Sequence, residues 1–195
     1  LLREELAKLA QLLNASDALS EQERVQIIEL GKRMNRALAG KVQELQRYRS
    51  EFFGKLQKVL GKQPGIEVSG DRFVFQSEVL FPSGSAQIQE NGMVQLSQFA
   101  KTVIEISKVI PNDIKWVLRV DGHTDDIPIN NNQFPSNWEL SIARSLSVVK
   151  YLRAQGIPPS KLVAAGFGEH QPLDPNRTLT ARSRNRRIEL KLDQR

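Results

Sequence analysis

The stretch VDGHTDDIPINNNQFPSNWELSIAR, residues 120–144, decides how this chain is read. Just upstream and into it, Ile114, Trp116, Leu118 and Val120 alternate with Lys115, Val117, Arg119 and Asp121, the period of two expected of a half-buried strand. Gly122 ends that strand, so His123, Thr124, Asp125 and Asp126 fall in a turn at its carboxyl end, where open α/β sheets place ligand-binding groups. Beyond a Pro/Asn-rich loop, Ser136-Asn137-Trp138-Glu139 has the form of a capping box and predicts a helix from Asn137. Its apolar stripe, Trp138, Ile142, Leu146, Val149 and Leu152, predicts one face packed on the sheet, with Ser141, Arg144 and Ser145 pointing away from that stripe. A guanidinium at Arg144 can fork onto a carboxylate, and a carboxylate at Asp125 can accept from an ammonium. Together the two match the charges of an amino acid, so the stretch predicts a zwitterion-binding site.

Working outward, Gly61-Lys62-Gln63-Pro64-Gly65 is the best domain boundary, because glycine and proline stop a helix and the pattern that follows is strand-like. Residues 1–62 then form a helical segment and residues 63–195 a second domain. In the first, Leu2, Leu6, Leu9, Leu12 and Leu13 make an amphipathic stretch. A break is expected at Asn14-Ala15-Ser16-Asp17, with Ser20-Glu21-Gln22-Glu23 capping a second, long helix to Leu60. Along it Met34, Leu38, Val42, Leu45, Phe52, Leu56 and Val59 recur at mixed threes, fours and one seven, as in a short coiled coil or a face that docks on a partner. Gly31, Gly40 and Gly54 weaken that coiled-coil pattern. Forty residues of helix reach about 60 Å, too long to bury their own stripe. A dimer, a helical hairpin or docking against the second domain is therefore implied, and a homodimer or a helical partner through residues 21–60 is expected.

In the second domain Ile66, Val68, Phe73 and Phe75 suggest a small β-element around Gly70-Asp71, which Val79 to Phe81 would prolong. A helix follows with Met93, Leu96, Ala100, Val103 and Ile106 as its buried stripe and Pro111 beyond its end. After the strand at 114–121 and the helix at 137–155 come strands near Leu162–Gly166 and at 187–192. That β-α-β-α-β-β order predicts an α+β fold, a two-layer sandwich with helices on one face of a mixed sheet.

The chain has 195 residues, no cysteine and a net charge of +6. Without cysteine there is no disulfide framework, no thiolate metal site and no cysteine nucleophile. No apolar run is long enough to span a bilayer, and no signal peptide is visible. Because the chain opens at Leu1 and not at methionine, an upstream transmembrane helix is expected, so that any membrane attachment lies outside this chain. The positive charge is local: residues 1–31 hold three basic and six acidic side chains, residues 32–62 nine and two, and residues 177–195 seven and two. Acids early and bases late in a long helix are what its dipole favours. The basic residues lack interleaved aromatics, so a nucleic-acid partner is not expected.

Several ordered motifs carry a family resemblance from about Val79 to Leu192: LFPSGSAQI at 80–88, DGHTDDIP at 121–128, NWELSIAR at 137–144, YLRAQGIPPSKLVAAGFGEHQP at 151–172 and NRRIEL at 185–190. The chain resembles the OmpA-like peptidoglycan-binding domain, and most of all the version in flagellar stator B subunits. The resemblance implies non-covalent, non-enzymatic anchoring to the cell wall in the periplasm, with a peptidoglycan stem peptide as partner and no cofactor. It implies that Asp125 and Arg144 hold the ammonium and carboxylate of the diaminopimelate side chain. Asn137 and Leu140 would line the same groove, Thr124 would order the turn, and Arg187 in the NRR motif would support the site or the fold. The loop from Asp126 to Pro135 is longer than in the short outer-membrane versions and resembles the stator-type loop.

Competing readings attach to the same residues. His123 with Asp121, Asp125 and Asp126 invites a metal site, but a single histidine with no second at ligand spacing favours a turn-ordering or groove role. His170 is expected to be structural. Asp125 and Asp126 could act as an acid and base in cell-wall hydrolysis, although adjacent loop residues usually point apart. Asp125 and Arg144 could simply pair with each other. Arg182, Arg184, Arg186 and Arg187 could bind an anionic polymer or pair within the fold. A purely helical dimerisation module is the remaining alternative.

Overall fold

The computed structural model describes residues 2–60, 66–108, 110 and 116–194. The boundary expected at 61–65, the strand start at Ile114 and the helix stop at Pro111 lie outside the described residues, as do the side chains of Leu2, Leu6, Leu9, Leu12, Leu13, Leu45, Phe52 and Val59. Two compact units are present, Leu1–Arg47 and Tyr48–Arg195.

The described residues of the first unit are all helical. Helix α1 runs Leu2–Leu60 without interruption, so the expected break at Asn14–Asp17 does not occur. Residues 1–30 contain neither glycine nor proline. Asn, Ser and Asp cost a helix only a few tenths of a kcal/mol each, about the value of the propagation they would have to stop. Val25, Ile27, Ile28, Leu30, Met34, Leu38 and Val42 are all more than half exposed.

In the second unit the last turns of α1 place Leu56, fully buried, and Phe53, whose ring lies 4.8 Å from that of Phe73. Strands β1 (Ile66–Ser69) and β2 (Arg72–Gln76) form a hairpin across Gly70 and Asp71. Gly70 takes φ +59, the left-handed first turn position that glycine supplies without steric cost. Val79 does not prolong the strand: Ser77–Leu80 is a single helical turn, α2, before Phe81 returns to extended backbone. Helix α3 (Glu90–Ser107) buries Leu96, Phe99, Ala100, Thr102, Val103 and Ile106, while Met93 is 42 % exposed. Strand β3 (Trp116–His123), helix α4 (Asn137–Ala154), strand β4 (Leu162–Gly166), helix α5 (Leu179–Asn185) and strand β5 (Arg187–Gln194) complete the unit.

The sheet has the order β1-β2-β5-β3-β4, antiparallel except for the parallel β3–β4 pair. It is the mixed sheet of the expected α+β sandwich. Register places Phe73 beside Leu190, Leu190 beside Val120 and Val120 beside Ala164, so these share one face. Phe99 of α3 meets Phe73 and Phe75 edge-on at 5.9 and 5.8 Å, which puts the helices on that face and the core between the layers.

The opposite face is charged. Arg72, Arg119, Asp121, Arg187, Glu189, Lys191 and Asp193 form a ladder in which fully buried Glu189 accepts from Arg187 Nε at 2.6 Å and Arg72 Nη1 at 2.5 Å. Burial raises the cost of the Glu189 charge, but the surrounding cations, Arg187 foremost and Arg72 with it, together hold the carboxyl below its ordinary range. Among the described residues no helix is long and apolar enough to cross a membrane.

Helix α4 meets the sheet with a face rotated roughly a quarter turn from its apolar stripe, and of that stripe only Leu152 is buried. Leu140, Ser141, Arg144, Ser145, Val148 and Leu152 are buried, whereas Trp138, Ile142 and Leu146 are 41–47 % exposed. The cause is on the sheet. A Cβ at Gly122 would overlap the Ser141 carbonyl, and one at Gly166 would sit 2.5 Å from Ile142 Cγ1 and 2.7 Å from its backbone nitrogen. Two glycines on adjacent strands let the helix backbone approach so closely that only small side chains fit between. Ser141 Oγ also accepts from Gly168 N at 3.0 Å, tying the β4–α5 loop to the helix.

Candidate functional site

The site starts where β3 ends. Its last residue is His123, one beyond the expected stop at Gly122, and Thr124 N then donates to Gly168 O at 2.9 Å. Asp125, 8 % exposed, folds its carboxylate back so that Oδ1 accepts from Ile127 N at 3.1 Å. Asparagine and aspartate favour such turns because their short side chains reach backbone donors two residues on. Asn137 Nδ2 donates to Ile127 O at 3.0 Å and lies 3.4 Å from Asp125 O, so the first residue of α4 holds both ends of the turn. Ser136 caps that helix as expected, its Oγ accepting from Trp138 N at 3.2 Å.

Two turns along α4, Arg144 lies under the groove floor at 4 % exposure. Its Nε donates to Ser85 O at 2.8 Å and its guanidinium sits 5.2 Å from the centre of the Phe81 ring. Neither Nη atom has a hydrogen bond among the described residues. Burial pulls the Arg144 pKa down to about 10, against the opposing pull of Glu78 and Asp125. The guanidinium is thus charged at neutral pH and short of a counter-ion.

Asp125 and Arg144 do not pair with each other. Instead Asp125 Oδ2 accepts from Arg186 Nη1 at 2.6 Å, and Arg186 Nε donates to Glu78 Oε1 at 2.6 Å. Arg186 therefore bridges two carboxylates, Asp125 from the turn and Glu78 from α2. A groove of about 450 Å³ is lined by Thr124, Asp125, Asn137, Leu140 and Arg144, with Glu78, Arg186, Phe81–Gly84 and Ile127–Ile129 completing its walls.

Five of the six residues nominated from sequence meet in this groove. The sixth, Arg187, does not line it. At 3 % exposure Arg187 is engaged inside the fold, by Glu189 and by the carbonyls of Asn185 and Gln171, both at 3.1 Å. The reason is strand alternation: β5 begins at Arg187 and turns Arg187, Glu189 and Lys191 to the charged face, while Arg186, at the end of α5, turns to the groove. Arg186 pairs within the fold, one of the two roles expected of its cluster, but its place in the groove is not foreseen from sequence, and Glu78 is not foreseen at all. For Arg186 the signal was available in the period-two pattern of 187–192; for Glu78 there was none.

Asp126, Arg182 and Arg184, also singled out by the sequence, pair within the fold. Asp126 points away from Asp125 and accepts from Arg182 Nε at 2.7 Å, a bond that holds its carboxyl below its ordinary range. Arg184 lies 3.5 Å from Asp174. His123 is not in the turn but buried at the strand end, 2 % exposed and stacked on Phe167 at 5.0 Å. No group of three or more potential metal-ligating residues occurs among the described residues.

The family model described as the OmpA family matches residues 80–186, the span that supplies almost every wall of this groove. The chain belongs to the OmpA family. Within it, the match to Motility protein B of Bacillus subtilis is 34 % identical over 116 residues, 59 % of this chain and 42 % of that protein. The chain spans less than half the length of the curated relatives it matches first. Among solved structures, a MotB-like protein from Desulfovibrio vulgaris superposes with a TM-score of 0.68 at 29 % identity, covering 78 % of this chain and 95 % of that one. The cell wall anchor of the T6SS from Pseudomonas aeruginosa superposes with a TM-score of 0.58 at 28 % identity, covering 75 % and 96 %. The OmpA-family domain here thus has a MotB-like fold.

Proposed function

We propose that this chain binds peptidoglycan non-covalently in the periplasm and anchors a larger, inner-membrane-tethered protein to the cell wall. The ligand is the diaminopimelate of a stem peptide. The observation that carries the reading is Arg144: a buried guanidinium with both Nη atoms unpaired, opening onto a groove whose other side presents Asp125. Its Nη pair forks onto the ligand carboxylate, and Asp125 faces the ammonium. Leu140 supplies an apolar wall, and Asn137 and Thr124 hold the turn that aims Asp125. Arg187 acts at one remove, since its bond to the Asn185 carbonyl fixes the residue next to Arg186. Similarity to a protein described as a cell wall anchor supports the same reading.

Binding occurs without turnover. Asp125 is occupied by Arg186 and a backbone amide, and Asp126 faces α5, so the two carboxyls are not arranged as an acid and base across a bond. The exposed apolar residues of α1 between Val25 and Val42 favour a further role in self-association, as a homodimer or with a helical partner through residues 21–60. Residues 1–62 would then set assembly and residues 63–195 would hold the wall.

The test is calorimetric titration of wild type, Asp125→Ala and Arg144→Ala with a purified diaminopimelate-containing stem peptide, followed by analysis of the peptide for cleavage. Saturable binding by wild type, weakened at least about tenfold in Arg144→Ala and by a smaller factor in Asp125→Ala, with intact peptide, is the expected result. A well-folded wild type that binds nothing refutes the assignment.

A further inference from the structure

The charges around the groove are not balanced alike. Asp125 has both oxygens engaged, by Ile127 N and Arg186 Nη1, and Glu78 shares the same arginine. On that side one arginine stands between two carboxylates before any ligand arrives. Arg144 has only a neutral carbonyl on Nε, an aromatic face beneath it and two unused Nη atoms. In hydrogen bonds, one side of the groove is already satisfied and the other is not.

Leaving a buried charged group without a partner costs far more than a hydrogen bond between two well-placed groups gains. A ligand that brings no carboxylate leaves Arg144 desolvated and unpaired. A ligand that brings no ammonium leaves Asp125 as it stands, still held by Arg186. Resting on the peptidoglycan reading above, we propose that the groove selects stem peptides by a free carboxylate on the diaminopimelate side chain and only weakly by its ammonium. Arg186 is the place-holder that makes the ammonium dispensable. When an ammonium does bind at Asp125, Arg186 keeps Glu78 as its counter-ion and gives up only one contact, so the exchange gains little. Stems whose side-chain carboxyl is amidated are therefore excluded: a carboxamide can accept from one Nη, but its own N–H group opposes the other.

The experiment titrates the full chain with three synthetic stem tripeptides. One is unmodified, one carries the side-chain carboxyl as the carboxamide, and one has the side-chain ammonium replaced by hydrogen. The carboxamide is expected to bind at least about thirtyfold more weakly than the unmodified peptide, and the deamino peptide less than about fivefold more weakly. In Arg186→Gln, where Asp125 loses its place-holder, the deamino penalty is expected to grow beyond about tenfold. Comparable penalties for the two modified peptides in wild type, or a larger one for the deamino peptide, overturn the inference while leaving the anchor intact. Absence of binding to all three by folded wild type removes the anchor and this selectivity together.

Discussion

His123 makes the stability of the fold depend on pH in a way that can be calculated. Its ring is 2 % exposed, lies flat on Phe167, and has no hydrogen-bond partner at either nitrogen. Burial is the main force against protonation, and Arg187, Arg72 and Arg119 add to it, while Glu189 at 3.8 Å opposes it. The result is a pKa lowered from 6.5 to about 4. Between those two values the unfolded chain binds the proton and the folded chain does not, so stability is full above about pH 6.5 and falls as the pH drops towards 4. The difference of 6.5 − 4 = 2.5 units corresponds to roughly 3 kcal/mol in total, of which about 2 kcal/mol is lost by pH 5. His123→Phe keeps a flat ring against Phe167 and removes the titrating group, and it breaks no hydrogen bond. Urea unfolding of both proteins at pH 7, 6 and 5 should show the stability of wild type relative to the variant falling by about 2 kcal/mol across that range. A gap that stays constant within about 0.5 kcal/mol would refute the claim that His123 is held neutral by burial.

Three other perturbations test the packing. Gly122→Ala drives a methyl group into the Ser141 carbonyl between two backbones that cannot easily part; it should cost about 3 kcal/mol and lower Tm by roughly 6–12 °C, read by thermal melts. Glu189→Ala leaves Arg187 and Arg72 without their shared partner in the buried ladder, with an expected loss of about 3–5 kcal/mol in denaturant unfolding. Gly40→Ala meets nothing within 4 Å and should stabilise α1 by about 0.5–1 kcal/mol, seen as increased helical circular dichroism on heating.

The elements with strong local signals were legible in the chain. Strand β4 lies at Leu162–Gly166 where it was expected, and α4 starts at Asn137 because the Ser136 cap is a local hydrogen bond. What was not legible depended on partners distant in sequence. The apolar stripe of α4 misplaces the buried face by roughly a quarter turn, since periodicity cannot tell which side of a helix will meet a sheet surface stripped of side chains. Gly122 and Gly166 were the available clue, but they become one surface only once β3 and β4 are paired. Helix α5 is seven residues long and carries no periodic stripe, and α2 is a single turn, so neither stood out. In the groove, Asp125 and Arg144 could be found by chemistry and family resemblance, whereas the Glu78–Arg186–Asp125 bridge joins residues 108 and 61 positions apart.

The near-contact of β3 and α4 through Gly122 also separates two properties of the groove. The distance between its acidic turn and its buried cation is set by main chain resting on main chain and by the Asn137 bond to the Ile127 carbonyl, while residues 130–135 travel from one to the other. That outer part of the loop, beyond the groove-lining Ile127–Ile129, can change in length, widening or roofing the entrance, without retuning the spacing of the charges beneath. Diversity in what can enter and constancy in what is held thus reside in different parts of the same short stretch of chain.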